Sequence, residues 1–245
     1  MDVYRACGIL HGTEPGEPDN RPLSENAPLR TQRPPYSRET FESLKKTFTW
    51  LEDDYDKIPV ERVVMAEPRL PGTVLRLPMV YGPGDPLHRL YPLLKRIDDG
   101  RPAILLEESQ AGWRGPRGYV ENVAQGIALA ATNERAGGRI YNVAEPEAFS
   151  ELEWTRRVAE ATDWPGRVRV LPAERMPSHL RLPYNFRQHW VPDTGRIRSE
   201  LGYRESVPFE EGLRRTIAWE RAHPPERYLW AQFDYPAEDA ALGNP

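Results

Sequence analysis

The sequence predicts an α/β fold built on a partly parallel sheet, and three observations carry that prediction. Residues 73–81, TVLRLPMVY, are an apolar, partly β-branched run ending at the turn signal Gly82-Pro83-Gly84-Asp85, the pattern of a buried strand. Helical patterns at 38–52, 54–66, 86–98, 120–132, 150–162 and 209–221 alternate with that run and with strand patterns at 103–106 and 138–143. Ser150 and Glu153, three apart ahead of Trp154 and Val158, have the spacing of a capping box, which fixes one helix start. Alternating elements of this kind pack as helices over a sheet.

A chain of 245 residues is long enough to bury a real core. Its 26 prolines predict a loop-rich surface. A net charge of -4, with 33 basic residues interspersed among 37 acidic ones, gives no general attraction to nucleic acid or to an anionic membrane. Cys7 is the only cysteine, so an intrachain disulfide or multi-cysteine metal site is excluded, and it reads as a bystander. The five histidines show no HExxH or paired-ligand spacing, and no metal site is expected. The start MDVYRACGIL has no leader pattern, no run is long enough to span a bilayer, and a soluble cytoplasmic protein is expected. The stretch 12–28 and the acidic tail after Tyr235 read as surface loops.

The expected sheet is incomplete. A doubly wound nucleotide-binding fold opens with a strand, a glycine-rich turn and a helix whose N-terminal amides hold a pyrophosphate. Neither G-x-G-x-x-G nor a P-loop occurs in the sequence, and Gly82-Pro83-Gly84-Asp85 reads as a tight turn leaving the strand. No G-x-S-x-G elbow supports hydrolase chemistry.

Several segments in order resemble one family. Asp2-Val3-Tyr4 with Leu23–Leu29, then KIPVER at 57–62, LRLPMVYGPGD at 75–85, RGYVENVAQGIALAA at 117–131, RIYNVAEP at 139–146, DTGRIRSEL at 193–201 and EEGLRRTIAW at 210–219 together resemble the NAD-dependent epimerase/dehydratases, the extended short-chain dehydrogenase/reductases. The resemblance implies an incomplete Rossmann-type doubly wound parallel sheet with a smaller C-terminal α/β substrate lobe. The sheet remainder would take 1–80 and 117–145, and the lobe 81–116 and 146–245. It also implies that the first βαβ units, with the family's phosphate-binding turn and catalytic serine or threonine, lie ahead of Val3-Tyr4, so that Met1 is an internal or misassigned start.

In this family a tyrosine four residues before a lysine exchanges a proton with a substrate hydroxyl, and the lysine binds the nicotinamide ribose. On one helix face the i and i+4 side chains reach the same hydroxyl. Tyr91 and Lys95 are the only literal pair, but they follow the GPGD turn, in a helix that resembles the substrate lobe. Lys57 matches the family lysine better, nineteen residues before Arg76 and followed by Glu61. The tyrosine position is then Asp53, read as a surface ion-pair partner of Lys57, with a general base as the alternative. Tyr55, two residues away, would sit roughly 200° around a helix from Lys57. Tyr36 has Thr40 where the lysine belongs. Asp53, Tyr55 and Tyr36 therefore all stay open for the acid/base role beside Lys57.

The resemblance places Lys57, Leu77 and Pro78 at the cofactor, NAD or NADP. It places Met79 where an asparagine often meets a nucleotide-sugar, and a thioether cannot donate that hydrogen bond. Arg89, Arg114, Arg117 and Arg187 are candidates for an anionic substrate. The expected function is an atypical NAD(P)-dependent epimerase, dehydratase or reductase acting on a sugar-like or hydroxyl-bearing metabolite by hydride transfer, inactive as this truncated chain. The alternative is a non-catalytic binding or scaffold protein that keeps the fold without the tyrosine. A small-molecule substrate is expected, nucleic acid is not favoured, and residues 38–66 are the candidate surface for a homodimer by family analogy.

Overall fold

A computed structural model describes residues 1–33, 35–226 and 230–243. Its helices are α1 (Arg5–Leu10), α2 (Arg38–Thr47), α3 (Lys57–Ala66), α4 (Tyr91–Asp98), α5 (Glu108–Gly112), α6 (Val120–Thr132), α7 (Glu151–Ala161), α8 (Gly195–Leu201), α9 (Phe209–Ala222) and α10 (Tyr235–Leu242). The strands are β1 (Thr73–Arg76), β2 (Met79–Tyr81), β3 (Ala103–Glu107), β4 (Arg117–Tyr119), β5 (Arg139–Asn142) and β6 (Arg167–Leu171). They pair in parallel as β1 with β5, β2 with β4 and β3 with β6.

The run expected as one strand at 73–81 is two. Pro78 has no N–H to give a ladder, and at Leu77-Pro78 the chain changes partner. Val143 N still donates to Arg76 O at 3.1 Å on the β5 side, whereas Met79 N donates to Pro116 O at 2.9 Å on the β4 side. The partners diverge at this break, and a crevice opens beyond Arg76. Ligands of open α/β sheets bind in such crevices at the carboxyl ends of strands.

Local chemistry explains the other boundaries. Ser150 and Glu153 form the expected capping box: Ser150 N donates to Glu153 Oε2 at 2.7 Å and Glu153 N to Ser150 Oγ at 3.2 Å. The helix expected over 86–98 starts only at Tyr91. Asp85 takes the Leu87 and Arg89 amides in a turn, and His88 sits at φ 45°, outside helical geometry. The GPGD segment is a hydrogen-bonded turn, with Asp85 N donating to Gly82 O at 3.2 Å. β6 escaped the sequence reading because RVRVL buries only Leu171 fully. The tail expected as a loop contains α10, capped by Asp234 and pinned by Glu238 against Arg96 at 2.6 Å.

Core packing follows these elements. Val3, Tyr4 and Cys7 pack with Ile58, Trp113 and Trp190. Tyr81, Leu94, Trp154 and Ile217 form a second cluster, and Val123, Tyr141, Ile197 and Tyr203 a third. Burial pushes the Cys7 thiol well above its ordinary value, an inert state for the single cysteine. No helix among the described residues is long and apolar enough to cross a membrane.

Candidate active site

The crevice below the β1–β2 break holds a cavity of about 250 Å³, lined in part by Asp2, Tyr36, Tyr55, Lys57, Leu77 and Met79. At its centre is Asp2, only 2% exposed. Its Oδ2 accepts hydrogen bonds from Tyr55 at 2.9 Å and Tyr36 at 3.1 Å, and the Lys57 ammonium lies at 3.3 Å. Among the described residues, Oδ1 has no partner.

The backbone fixes Asp2 as firmly as the carboxylate fixes its donors. Arg30 Nε donates to Asp2 O at 2.6 Å, and its Nη2 pairs at 2.7 Å with Asp56. Both partners of that ion pair are almost fully buried. Asp56 also caps α3 by accepting from Ile58 N at 3.0 Å, so Arg30 and Asp56 together tie the helix start carrying Lys57 to Asp2. One turn along α3, Glu61 holds buried Arg76 of β1 in a two-bond fork at 3.0 and 2.7 Å. Arg76 lies over the Tyr4 ring, whose hydroxyl donates to Asn142 at 2.6 Å. The helix is thereby registered on β1, the adjoining β5 and the segment after Asp2.

The electrostatics are those of a shared anion. Burial is the largest influence on Asp2 and works to raise its pKa, while the Lys57 charge and the two tyrosine hydroxyls work to lower it. The tyrosines move the other way. Burial, then the negative charge of Asp2, pushes Tyr36 and Tyr55 well above the normal phenol value, so both stay protonated donors. His11 packs edge-on against Tyr36, with ring centroids 5.0 Å apart, and burial lowers its pKa to about 4.

The candidates from the sequence divide accordingly. Tyr36, Tyr55 and Lys57 meet at one oxygen, and Leu77, Pro78, Met79 and Arg89 line the same cavity. Asp53 is elsewhere: it is exposed and bonded to Lys45 at 2.6 Å, not to Lys57. The expected i,i+4 pair fails because α3 starts at Lys57, so residue 53 precedes the helix. The same boundary corrects the angular reading of Tyr55, whose approach to Lys57 is not helical. Arg187 is exposed and lines none of the cavities described here. Arg114 pairs with Glu153 at 3.1 Å. Lys95 is bound to Asp99 at 2.7 Å. Asp2 was not singled out in the sequence; an acidic residue directly before the Val3-Tyr4 resemblance was the available signal.

Residues 16–144 match the NAD dependent epimerase/dehydratase family. The chain belongs to that family. An uncharacterised protein of Sinorhizobium fredii is 26% identical over 194 residues, 66% of this chain and 52% of the relative. A dTDP-glucose 4,6-dehydratase of an Actinoplanes species is 29% identical over 146 residues, 58% of this chain and 42% of that enzyme. The chain thus spans about half the length of these curated relatives. Among solved structures, an epimerase of Methanothermobacter thermautotrophicus has a TM-score of 0.58 at 18% identity, covering 88% of this chain and 57% of that one. A UDP-glucuronic acid 4-epimerase of Bacillus cereus, solved with NAD, gives 0.58 at 18% identity, covering 91% and 59%. These likenesses show the fold, a Rossmann-like mixed α/β architecture.

Proposed function

We propose that this family member works in an NAD(P)-dependent epimerase, dehydratase or reductase acting on a sugar-like or hydroxyl-bearing metabolite, with the Asp2 cavity as its proton-handling site. The observation that carries the reading is the convergence of Tyr36, Tyr55 and Lys57 on Asp2 Oδ2. The dinucleotide-bound and sugar-nucleotide members of the fold support it.

The residues present fit the nicotinamide-ribose end of such a cofactor: a half-exposed ammonium at Lys57 beside the apolar wall of Leu77, Pro78 and Met79. Lys57 would hold ribose hydroxyls, and Leu77 and Pro78 would pack on the ring. When bound, the nicotinamide supplies hydride exchange with a substrate carbon. The chain's own part is the proton. A substrate hydroxyl bonded to the Tyr55 oxygen hands its proton to that oxygen as Tyr55 passes its own to Asp2. The transfer leaves a neutral phenol and a protonated carboxyl, and no tyrosinate forms beside an anion. Run in reverse, it protonates a substrate oxygen.

A second reading, a non-catalytic binding or scaffold protein, is favoured by one observation: the family's tyrosine position four residues before Lys57 is Asp53, which is exposed and paired with Lys45. Calorimetric titration of the full-length protein with NAD(H) and NADP(H) separates the two. Micromolar binding supports the enzyme; no binding of either dinucleotide rejects it in favour of the scaffold. A cytoplasmic location and a homodimer through 38–66 belong to the same proposal. Val60 and Val63 of α3 are 60% and 74% exposed, a surface that a second copy would cover. Sedimentation at the mass of a single chain would reject the dimer.

A further inference from the structure

A second cavity, of about 310 Å³, shares Met79 and Arg89 with the Asp2 cavity. Its walls include Ile104, Leu106, Trp113 and Trp154. Three arginines also line it, which at first suggests an anion site. Each has a carboxylate partner, and of their nitrogens only Arg117 Nη1 is left buried with no hydrogen-bond partner among the described residues. Arg89 holds Asp85 at 2.5 Å, and Arg96 is buried against Glu238 at 2.6 Å. Arg117, stacked on Trp154 with its guanidinium 4.5 Å from the ring centre, gives its Nη2 to both oxygens of Glu151. Glu151 itself lines the cavity.

The charges of these three pairs therefore sum to zero. A diphosphate entering here would meet the Glu151 carboxylate, and Arg117 would offer it only Nη1 unless a mostly buried, charge-assisted pair broke. Met79 adds no hydrogen-bond donor at the junction of the two cavities. An uncharged ring system meets no such repulsion and gains contact with the apolar wall.

We infer that this cavity takes the uncharged, apolar or aromatic body of a hydroxyl-bearing substrate and rejects a nucleoside diphosphate, with Glu151 as the specificity-determining residue. The inference rests on the proposed function only in that the reacting hydroxyl of the same molecule lies in the Asp2 cavity. Its test reads binding without turnover or dinucleotide, so the two fail separately.

The whole chain is titrated with UDP and with phenyl β-D-glucoside, following tryptophan fluorescence and the shift in Tm, in wild type and Glu151→Gln. The expected result is saturable glucoside binding and no UDP binding in wild type. Glu151→Gln then gains UDP affinity by about tenfold or more, reversed by salt, with glucoside binding retained. UDP bound by the wild type at least as tightly as the glucoside overturns the inference, as does a wild type silent to the glucoside. A folded Glu151→Gln with no gain for UDP removes Glu151 from the role. If that variant does not fold, the wild-type comparison still decides the substrate class.

Discussion

Tyr55 and Lys57, two positions apart, bond the same oxygen of Asp2, at 2.9 and 3.3 Å, because α3 begins at Lys57 and leaves Tyr55 at the end of the turn ahead of it, its N–H donating to Glu52 O at 3.1 Å. A continuous helix would have turned them apart. The helix boundary is therefore what assembles the site, and its consequences can be measured.

The first concerns the charge that Asp2 imposes. Asp2→Asn removes an anion bonded to both phenols, and two tyrosines are expected to ionise at lower pH than in the wild type. Burial still keeps them above free tyrosine. Ultraviolet difference titration of the two proteins checks this; superimposable curves would show that Asp2 does not govern the phenols.

The helix start itself depends on Asp56. Asp56→Ala removes the α3 cap and strands buried Arg30, at an expected cost of about 3–5 kcal/mol. Asp53→Ala, three residues away on an exposed pair, is expected to leave Tm unchanged. Denaturant unfolding of the two variants side by side reads the contrast, and equal losses would place the boundary wrongly.

His11 predicts how stability falls with acid. Burial lowers its folded pKa from 6.5 to about 4, so between those values the unfolded chain binds a proton that the native state refuses. Its contribution is complete above pH 6.5 and is lost as pH falls to about 4, roughly 3 kcal/mol in all. His11→Phe should flatten this part of the stability profile. A profile that keeps its slope in the variant would assign it to other groups.

Gly82 leaves β2 at φ 137°, and an added Cβ would lie 2.5 Å from Val120 Cγ1. Gly82→Ala is expected to destabilise by about 1–3 kcal/mol through backbone strain and displacement of α6. A neutral effect on Tm would show that the turn relaxes freely.

The sequence made the framework legible because burial repeats along it: the Ser150 box and the helix at 120–132 occur in the structure, and the 73–81 run occurs as two strands broken at Leu77-Pro78. The site was partly legible. Lys57, Tyr36, Tyr55, Leu77 and Pro78 were named, yet which tyrosine meets Lys57 depends on a helix start set by one aspartate cap. Periodicity does not single out such a cap when Asp53, Asp54 and Asp56 crowd the same short stretch. Asp2 was quoted beside Val3-Tyr4 but given no role, because that role comes from contacts 34, 53 and 55 residues away. Asp53 shows the converse, a spacing that promises a pair the backbone does not make.

The most direct measurement is energy transfer from tryptophan to NADH, since Trp50 and Trp190 both line the Asp2 cavity. In the full-length wild type, transfer should saturate with added NADH, and Lys57→Ala should weaken the apparent affinity by about tenfold. No transfer in the wild type, or a Lys57→Ala protein that binds NADH equally well, would contradict the assignment of this cavity to the nicotinamide end of the site.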